Sequence, residues 1–313
     1  MSNFALIGAG GYIAPRHLKA IRETENRLIA ALDRHDSVGI LDSYFMDVSF
    51  FTEFERFDRH ASKLGRQGGE RIDFVSICSP NYLHDAHIRF ALRIGADAIC
   101  EKPLVINPWN LDHLAELETE TGQRVYTVLQ LRKHQAISRL RDRIAEEEKA
   151  EKHEVDLTYI TSRGKWYFVS WKGDEEKSGG VATNIGIHFF DMLLWIFGRA
   201  RGLEVHRAGP DRMAGFLELE RARVRWFLSV SADDLPEAVR GEGQRTYRSI
   251  RVDGQEVEFS RGFADLHTEV YRDVLAGKGD GIEEARPAIE LAYQIRTASV
   301  VAPGAHAHPL LKT

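Results

Sequence analysis

The sequence predicts an α/β protein: an N-terminal doubly wound Rossmann domain, then an α+β domain with a large, mostly antiparallel sheet. Three observations carry this. Short apolar runs alternate with amphipathic helical stretches through the first 130 residues. A glycine-rich turn separates the first run from the first helix. Beyond residue 130 the alternation gives way to longer strands grouped together. The expected domains are therefore 1–130 and 131–313.

In order, Asn3 to Gly8 reads as a buried strand that runs into Gly8-Ala9-Gly10-Gly11-Tyr12-Ile13-Ala14 and a helix from Pro15 to Thr24. Strand, glycine turn and helix fit a dinucleotide pyrophosphate. Glycine lets backbone amides approach closely, and a helix N-terminus offers unpaired N–H groups and partial positive charge. Gly10, Gly11, Tyr12 and Ile13 are the candidate cofactor contacts here. A second strand, Arg27 to Leu32, ends at Asp33. An acidic residue about 20 positions past the glycines is where a ribose 2′-hydroxyl is bound, so Asp33 favours NAD over NADP; Arg34 beside it argues the other way. Ile72 to Cys78 is a further β-rich run, closed by the turn Ser79-Pro80-Asn81 and followed by helical Leu83 to Ile94. Ligands of doubly wound sheets lie outside the carboxyl ends of strands, so Ser79 and Asn81 should border the cofactor. Ala98 to Glu101 is the next strand, ended by Lys102-Pro103. Asn107 to Gly122 forms a helix with Asn107 as N-cap and Pro108 at its first position, and Val125 to Leu129 is the following strand.

In the second domain the expected strands are Val155 to Thr161, the neighbourhood of Val205, Ala214 to Glu220, Val224 to Ser231, Tyr247 to Val252 and Glu256 to Ser260, with Asp253-Gly254 as a hairpin turn. Such a sheet gives one face to helices, and covering the other with a second subunit implies an oligomer.

With 313 residues, 43% hydrophobic and 28% charged, the chain can bury a large core. A net charge of -5 disfavours nucleic acid as partner. The first residues lead directly into a strand rather than a signal peptide, and no apolar run reads as long enough to span a bilayer, so a cytoplasmic protein without membrane attachment is expected. Cys78 and Cys100 lie in apolar strand contexts and read as buried thiols. Glu146 to Lys152 reads as a solvated helical face. No metal is expected: His84 and His87 lie a helical turn apart without a carboxylate or cysteine cluster to complete a site, and His306 and His308 fall in a loose tail.

The chemistry-bearing residues of the second domain lie in Ala182 to Asp191. On a helix from about Asn184 to Phe197, the side chains of Asn184, His188 and Asp191 share one face. Oxidising an alcohol needs a base with a pKa near neutrality, which suits His188, and an ammonium beside the same oxygen to stabilise the alkoxide, which suits Lys102. Thr161 to Gly173 mixes Arg163, Lys165, Trp166, Tyr167, Trp171 and Lys172. Cations suit a diphosphate or carboxylate and rings suit a base; on the residues alone, core or interface rings with a wet basic rim is the plainer reading.

Gly8 to His17, Ser79-Pro80-Asn81 with His84, Glu101-Lys102-Pro103 and Asn184 to Asp191 together resemble the glucose-fructose oxidoreductase / inositol dehydrogenase / rhizopine catabolism (Gfo/Idh/MocA) family, over essentially the whole chain. The strings Ile77 to His84, Ile99 to Leu104, Leu157 to Gly164 and Arg223 to Val230 resemble members that oxidise C3 of UDP-N-acetylglucosaminuronic acid, toward diacetamido uronic acids of surface polysaccharide such as lipopolysaccharide O-antigen. The resemblance implies NAD as cofactor, with His84, Glu101 and Lys102 added to its contacts, and a cis peptide before Pro103 that aims Lys102 at the nicotinamide. It implies Lys102 and His188 as catalytic residues, and a UDP-sugar site of Lys102, Arg163, Trp171, Lys172, Asn184 and His188. It further implies a homotetramer and functional coupling to a PLP aminotransferase. Two departures stand out. Asn184 replaces the family's aspartate, so it hydrogen-bonds substrate rather than acting as a carboxylate. The family's first glycine falls on Ala9 and its third small residue on Ala14, which leaves open which amides meet phosphate. Two other readings remain: a dehydrogenase of a free sugar or inositol, and a catalytically silent NAD-binding regulator, against which the retention of Lys102 and His188 argues.

Overall fold

The computed structural model describes residues 1–66, 70–148, 151–259, 262 and 265–311. The chain forms two compact units, Met1–Gln130 with Ala264–Arg286, and Leu131–Phe263 with Pro287–Thr313.

The first unit is built on a six-stranded parallel sheet of β1 (Asn3–Ile7), β2 (Arg27–Leu32), β3 (Ser49–Phe51), β4 (Phe74–Ile77), β5 (Asp97–Cys100) and β6 (Val125–Thr127), in the order β3-β2-β1-β4-β5-β6. Sheets of this kind carry helices on both faces, so their strands are apolar throughout rather than alternating. Phe4 to Ile7 and Leu28 to Leu32 are accordingly buried without interruption. The order reverses between β1 and β4, where doubly wound sheets open their ligand crevice. The three-residue β3 and the helix Phe54–Arg66 were not marked in the sequence.

The expected boundary needs one correction. The described residues 265–286, assigned by pattern to the second domain, belong to the first unit. The helix Leu266–Leu275 buries Leu266, Val270, Tyr271 and Val274 at helical spacing, and Val270, Tyr271 and Val274 join the core of Phe4, Leu6, Leu18 and Ile21. The helix Ile282–Thr297 then runs from the first unit into the second.

The second unit holds a mixed sheet of β7 (His153–Thr161), β8 (Ala200–Ala208), β9 (Arg212–Leu219), β10 (Ala222–Ser229), β11 (Thr246–Val252) and β12 (Gln255–Glu256), ordered β12-β11-β7-β10-β9-β8. Only the β7–β10 pairing is parallel. The strand expected to reach Ser260 is two residues long, and Ser260 lies outside the described residues. The inner face packs on the helix Ile187–Phe197, with the Phe190 ring edge-on to Trp226 at 5.5 Å and Phe189 4.6 Å from Tyr159. The approach is close: a Cβ on Gly186 would sit 2.7 Å from Leu228 Cδ1. Contrary to expectation, Glu175–Phe197 is a helical run long and apolar enough to cross a membrane. With 78% of its apolar window buried inside the protein, it is a core helix.

The outer face of this sheet pairs Arg225 with Asp156 through two bonds of 2.6 and 2.7 Å. His306 and His308 correct the expectation of a loose tail. His306 stacks on Phe216 at 4.0 Å, and His308 stacks on Phe227 at 5.6 Å with its Nε2 3.1 Å from Thr158 Oγ1.

Candidate active site

At the switch point of the first unit, the turn after β1 meets the turn after β4. Gly8 has φ +92°, and a Cβ there would lie 2.7 Å from the Cys78 carbonyl, so only glycine allows the turn. Its amide and that of Ala9 bond Leu32 O at 2.8 and 3.2 Å, the Gly10 amide donates to Asp33 Oδ2 at 2.8 Å, and that of Gly11 donates to Gly8 O at 3.0 Å. Gly10 and Gly11 thus supply room rather than donors. Within this turn, the amides of Tyr12 and Ile13, just ahead of the helix Ala14–Glu23, are the ones not engaged by a backbone carbonyl or by Asp33, and so are available to a phosphate. This cradle fits a dinucleotide. Asp33 also accepts from the His35 amide at 2.9 Å, and its two oxygens keep further acceptor capacity for a ribose diol.

Ser79 and Asn81 are buried at the carboxyl end of β4, where Ser79 Oγ meets His87 Nδ1 at 2.8 Å. Burial pushes the His87 pKa down to about 4. His84, read as a cofactor contact, turns both ring nitrogens inward, to Pro103 O at 2.7 Å and Ser79 O at 2.8 Å. It ties the two turns together and presents neither nitrogen to a ligand.

Glu101 and Lys102 follow β5, and the Lys102–Pro103 peptide is cis. Lys102 is half-buried; Glu101 is buried. Glu101 Oε1 receives His17 Nε2 and His267 Nε2, each at 2.9 Å, and Oε2 receives the Lys102 amide at 3.3 Å. Burial alone would push the Glu101 carboxyl up, but the hydrogen bonds from His17 and His267 hold it well below the usual carboxylate range. Among the described residues, His17, Glu101 and His267 are the one set whose metal-ligand-type atoms gather within 4.8 Å. Their 2.9 Å spacings are those of hydrogen bonds, tighter than the separation of ligands around an ion with bonds of about 2.0 to 2.2 Å. Cys78 and Cys100 are buried thiols whose pKa burial raises well above the ordinary value.

In the second unit, Asn184 and His188 are the only partly exposed residues between Val181 and Leu193. The helix expected to begin at Asn184 begins instead at Ile187, preceded by a wider π-type turn over Val181–Gly186. Asp191 does not share the exposed face with them. It is 2% exposed and holds Arg132 through bonds of 2.6 and 3.1 Å. Arg132 was missed because it lies 59 residues away in sequence. Asn184 Nδ2 donates to the buried Tyr167 hydroxyl at 3.2 Å, which joins the Arg163 to Lys172 segment to this face. Lys172 Nζ lies 3.9 Å over the Trp171 ring, both half-buried, whereas Arg163 is exposed.

A glycine cradle at the switch point of a parallel sheet, joined in one chain to an α+β unit whose partly exposed side chains between Val181 and Leu193 are an amide and an imidazole, defines a two-domain nicotinamide-dependent oxidoreductase. The chain belongs to the Gfo/Idh/MocA oxidoreductase family: residues 2–129 match its NAD-binding Rossmann fold and 149–245 its C-terminal alpha/beta domain. It is 55% identical to the WlbA (WbpB) dehydrogenase of Thermus thermophilus, over 99% of both chains. That enzyme superposes with TM-scores of 0.95 in complex with NAD and alpha-ketoglutarate and 0.94 with NAD and UDP-GlcNAcA. The chain is also 28% identical over 195 residues to a protein of Amycolatopsis mediterranei (strain S699) named as an oxidoreductase subunit of UDP-kanosamine synthase, 61% of this chain and 52% of that one. It is 25% identical over 126 residues to the D-glucoside 3-dehydrogenase of Escherichia coli (strain K12), 40% of this chain and 36% of that one. The chain thus spans between about a third and a half of the length of these two curated relatives.

Proposed function

We propose that this oxidoreductase converts the C3 hydroxyl of UDP-N-acetylglucosaminuronic acid to the 3-keto sugar. The observation that carries the reading is the 55% identity, over 99% of each chain, to a dehydrogenase solved with NAD and UDP-GlcNAcA. NAD, when bound, supplies the hydride acceptor, held by the Tyr12 and Ile13 amides, Asp33 and the turns at Ser79, Asn81 and Lys102, within the space that Gly10 and Gly11 leave. His188 takes the hydroxyl proton as the C3–H bond breaks, and the Lys102 ammonium stabilises the oxygen while it carries negative charge. Asn184 orients the sugar. Arg163, Trp171 and Lys172 anchor the UDP and carboxylate portions, so remote binding energy serves the chemical step. The same reading takes the protein to be a cytoplasmic tetramer. Its 3-keto product is a substrate for transamination, so a PLP aminotransferase acts next, toward the amino sugars of surface polysaccharide such as O-antigen. It also takes 2-oxoglutarate as the acceptor that restores NAD in place, a choice supported by the relative solved with alpha-ketoglutarate.

The test uses substrate deuterated at C3. Loss of the label from the sugar, with a 3-keto product and much weaker turnover of uncharged UDP-N-acetylglucosamine, is the expected result. Deuterium retained at C3 during turnover, or equal activity with the uncharged analogue, would show the wrong carbon or the wrong substrate.

A further inference from the structure

Behind Lys102 lies a chain of buried polar groups drawn from distant parts of the sequence. Ser76 Oγ meets the Tyr271 hydroxyl at 2.6 Å, Tyr271 meets His17 Nδ1 at 2.7 Å, and His17 Nε2 and His267 Nε2 both meet Glu101 Oε1 at 2.9 Å. All five residues are buried, and His17, Ser76 and Tyr271 are fully so. With His17 neutral, one assignment of hydrogens satisfies every bond. An ionised carboxylate only accepts, so both Nε2 atoms must carry hydrogen. A neutral His17 then has a lone pair on Nδ1, which the Tyr271 hydroxyl fills, and Tyr271 accepts from Ser76. Burial lowers the His17 pKa, which agrees with a neutral ring, and raises that of Tyr271 well above its ordinary value, which agrees with an intact hydroxyl. The other titratable groups that sense the carboxylate are Cys78, Cys100 and His84.

We propose that His17 and His267 are positioning residues for the reaction: their paired Nε2–H groups fix the Glu101 carboxylate in one orientation, and Glu101 Oε2 in turn holds the backbone amide of Lys102. Neither histidine touches a reacting atom in this scheme. Their effect reaches the chemistry through the placement of the Lys102 main chain, so it appears in turnover rather than in ligand binding. The proposal rests on the reading of Lys102 as the residue that stabilises the reacting oxygen.

Two measurements test it. In protein labelled with 15N-histidine, the imidazole nitrogens of His17 are expected to report the neutral Nε2–H form at neutral pH, and Nε2 of His267 to carry hydrogen. A His17 ring that is Nδ1–H, or that titrates near its ordinary pKa, overturns the assignment, as does a stoichiometric metal in the purified enzyme. The second measurement compares His267→Phe, which keeps a ring without the donor, with His267→Gln, whose amide nitrogen can occupy the Nε2 position. The expected outcome is a 10-fold or greater loss of kcat in His267→Phe, with KM for NAD and sugar within about threefold, and recovery of most of the loss in His267→Gln. Unchanged kcat in His267→Phe, or no recovery in His267→Gln, overturns the positioning role. If neither variant folds, the labelled wild-type protein still decides the protonation pattern. Absence of wild-type turnover on the UDP-sugar would count against the proposed function, whereas normal turnover with the wrong tautomer or an indifferent His267→Phe counts against the network alone.

Discussion

In the proposed reaction Lys102 and His188 carry different halves of the chemistry, and their environments make the halves separable. Lys102 is anchored through its amide to a buried carboxylate, so its side chain can be shortened without touching that anchor. His188 is one of two partly exposed positions on an otherwise buried segment, so replacing it leaves the packing of Phe189, Phe190 and Met192 in place. Lys102→Ala and His188→Asn are therefore expected to fold normally and bind NAD with nearly unchanged affinity, while turnover falls by at least ~100-fold, the scale of a lost acid–base group. Circular dichroism, NAD titration and kcat check the three parts, and near-normal turnover in His188→Asn would remove it as the base. At this scale, contiguity governs what the sequence reveals. Glu101-Lys102-Pro103 and Asn184 to His188 are short strings whose chemistry can be read in place. The partners of Glu101 stand 84 and 166 residues away, and nothing in local pattern links a histidine in the first helix to one near the C-terminus. The same distance hid Arg132, without which Asp191 looked like a third exposed polar group.

Elements with a strong period were legible, and those recruited by tertiary contact were not. β1, β2 and five strands of the second unit stand out because apolar runs or alternations persist over five or more residues, and β6 because its β-rich run continues to Leu129, whereas three-residue β3 and two-residue β12 offer too little pattern to place. The C-terminal segment is the clearest case of recruitment. Polar and histidine-rich, it reads as a tail, yet His306 and His308 stack on the aromatic rings of Phe216 and Phe227 on the outer sheet face. This docking is expected to respond to pH. Burial holds the His308 pKa down to about 4, with Asp156 raising it and Arg225 lowering it to smaller extents. The docked ring binds a proton less readily than a free one, so docking is at full strength above the ordinary value near 6.5 and is lost as pH falls toward 4. Between pH 7 and pH 5 the loss is about 2 kcal/mol. Hydrogen exchange at the amides of Ala307 to Leu311 should therefore accelerate at pH 5 beyond the intrinsic change, and His308→Phe, which stacks but cannot be protonated, should remove the excess. Equal pH response in the variant would assign the effect to another group.

For the molecule as a whole, the sequence shows a change of pattern near residue 130 but not the return of the chain to its first unit, because a contiguous reading has no means of assigning an apolar helix to one core or another. Leu266–Leu275 has a normal amphipathic face; only its burial with Phe4, Leu18 and Ile21 shows which core it completes. The return has a functional corollary, since it brings His267 and Tyr271 to Glu101 and makes the NAD-binding unit dependent on residues encoded near the C-terminus. The last prediction concerns the catalytic cycle. If the cofactor is restored in place, oxidising one sugar leaves a reduced nicotinamide, and the enzyme must pass the hydride to a keto acid before it can turn over again. Purified protein given UDP-N-acetylglucosaminuronic acid alone should develop the absorbance band of bound NADH in a single turnover. Adding 2-oxoglutarate should bleach it and yield one 2-hydroxyglutarate per 3-keto sugar, with deuterium from the sugar C3 recovered on C2 of the hydroxy acid. Gel filtration between the two additions discriminates the alternatives. NADH that stays with the protein and still reacts supports recycling in place, whereas NADH in the small-molecule fraction, with multiple turnovers sustained by free NAD alone, would show that the enzyme releases its cofactor and relies on another reaction to reoxidise it.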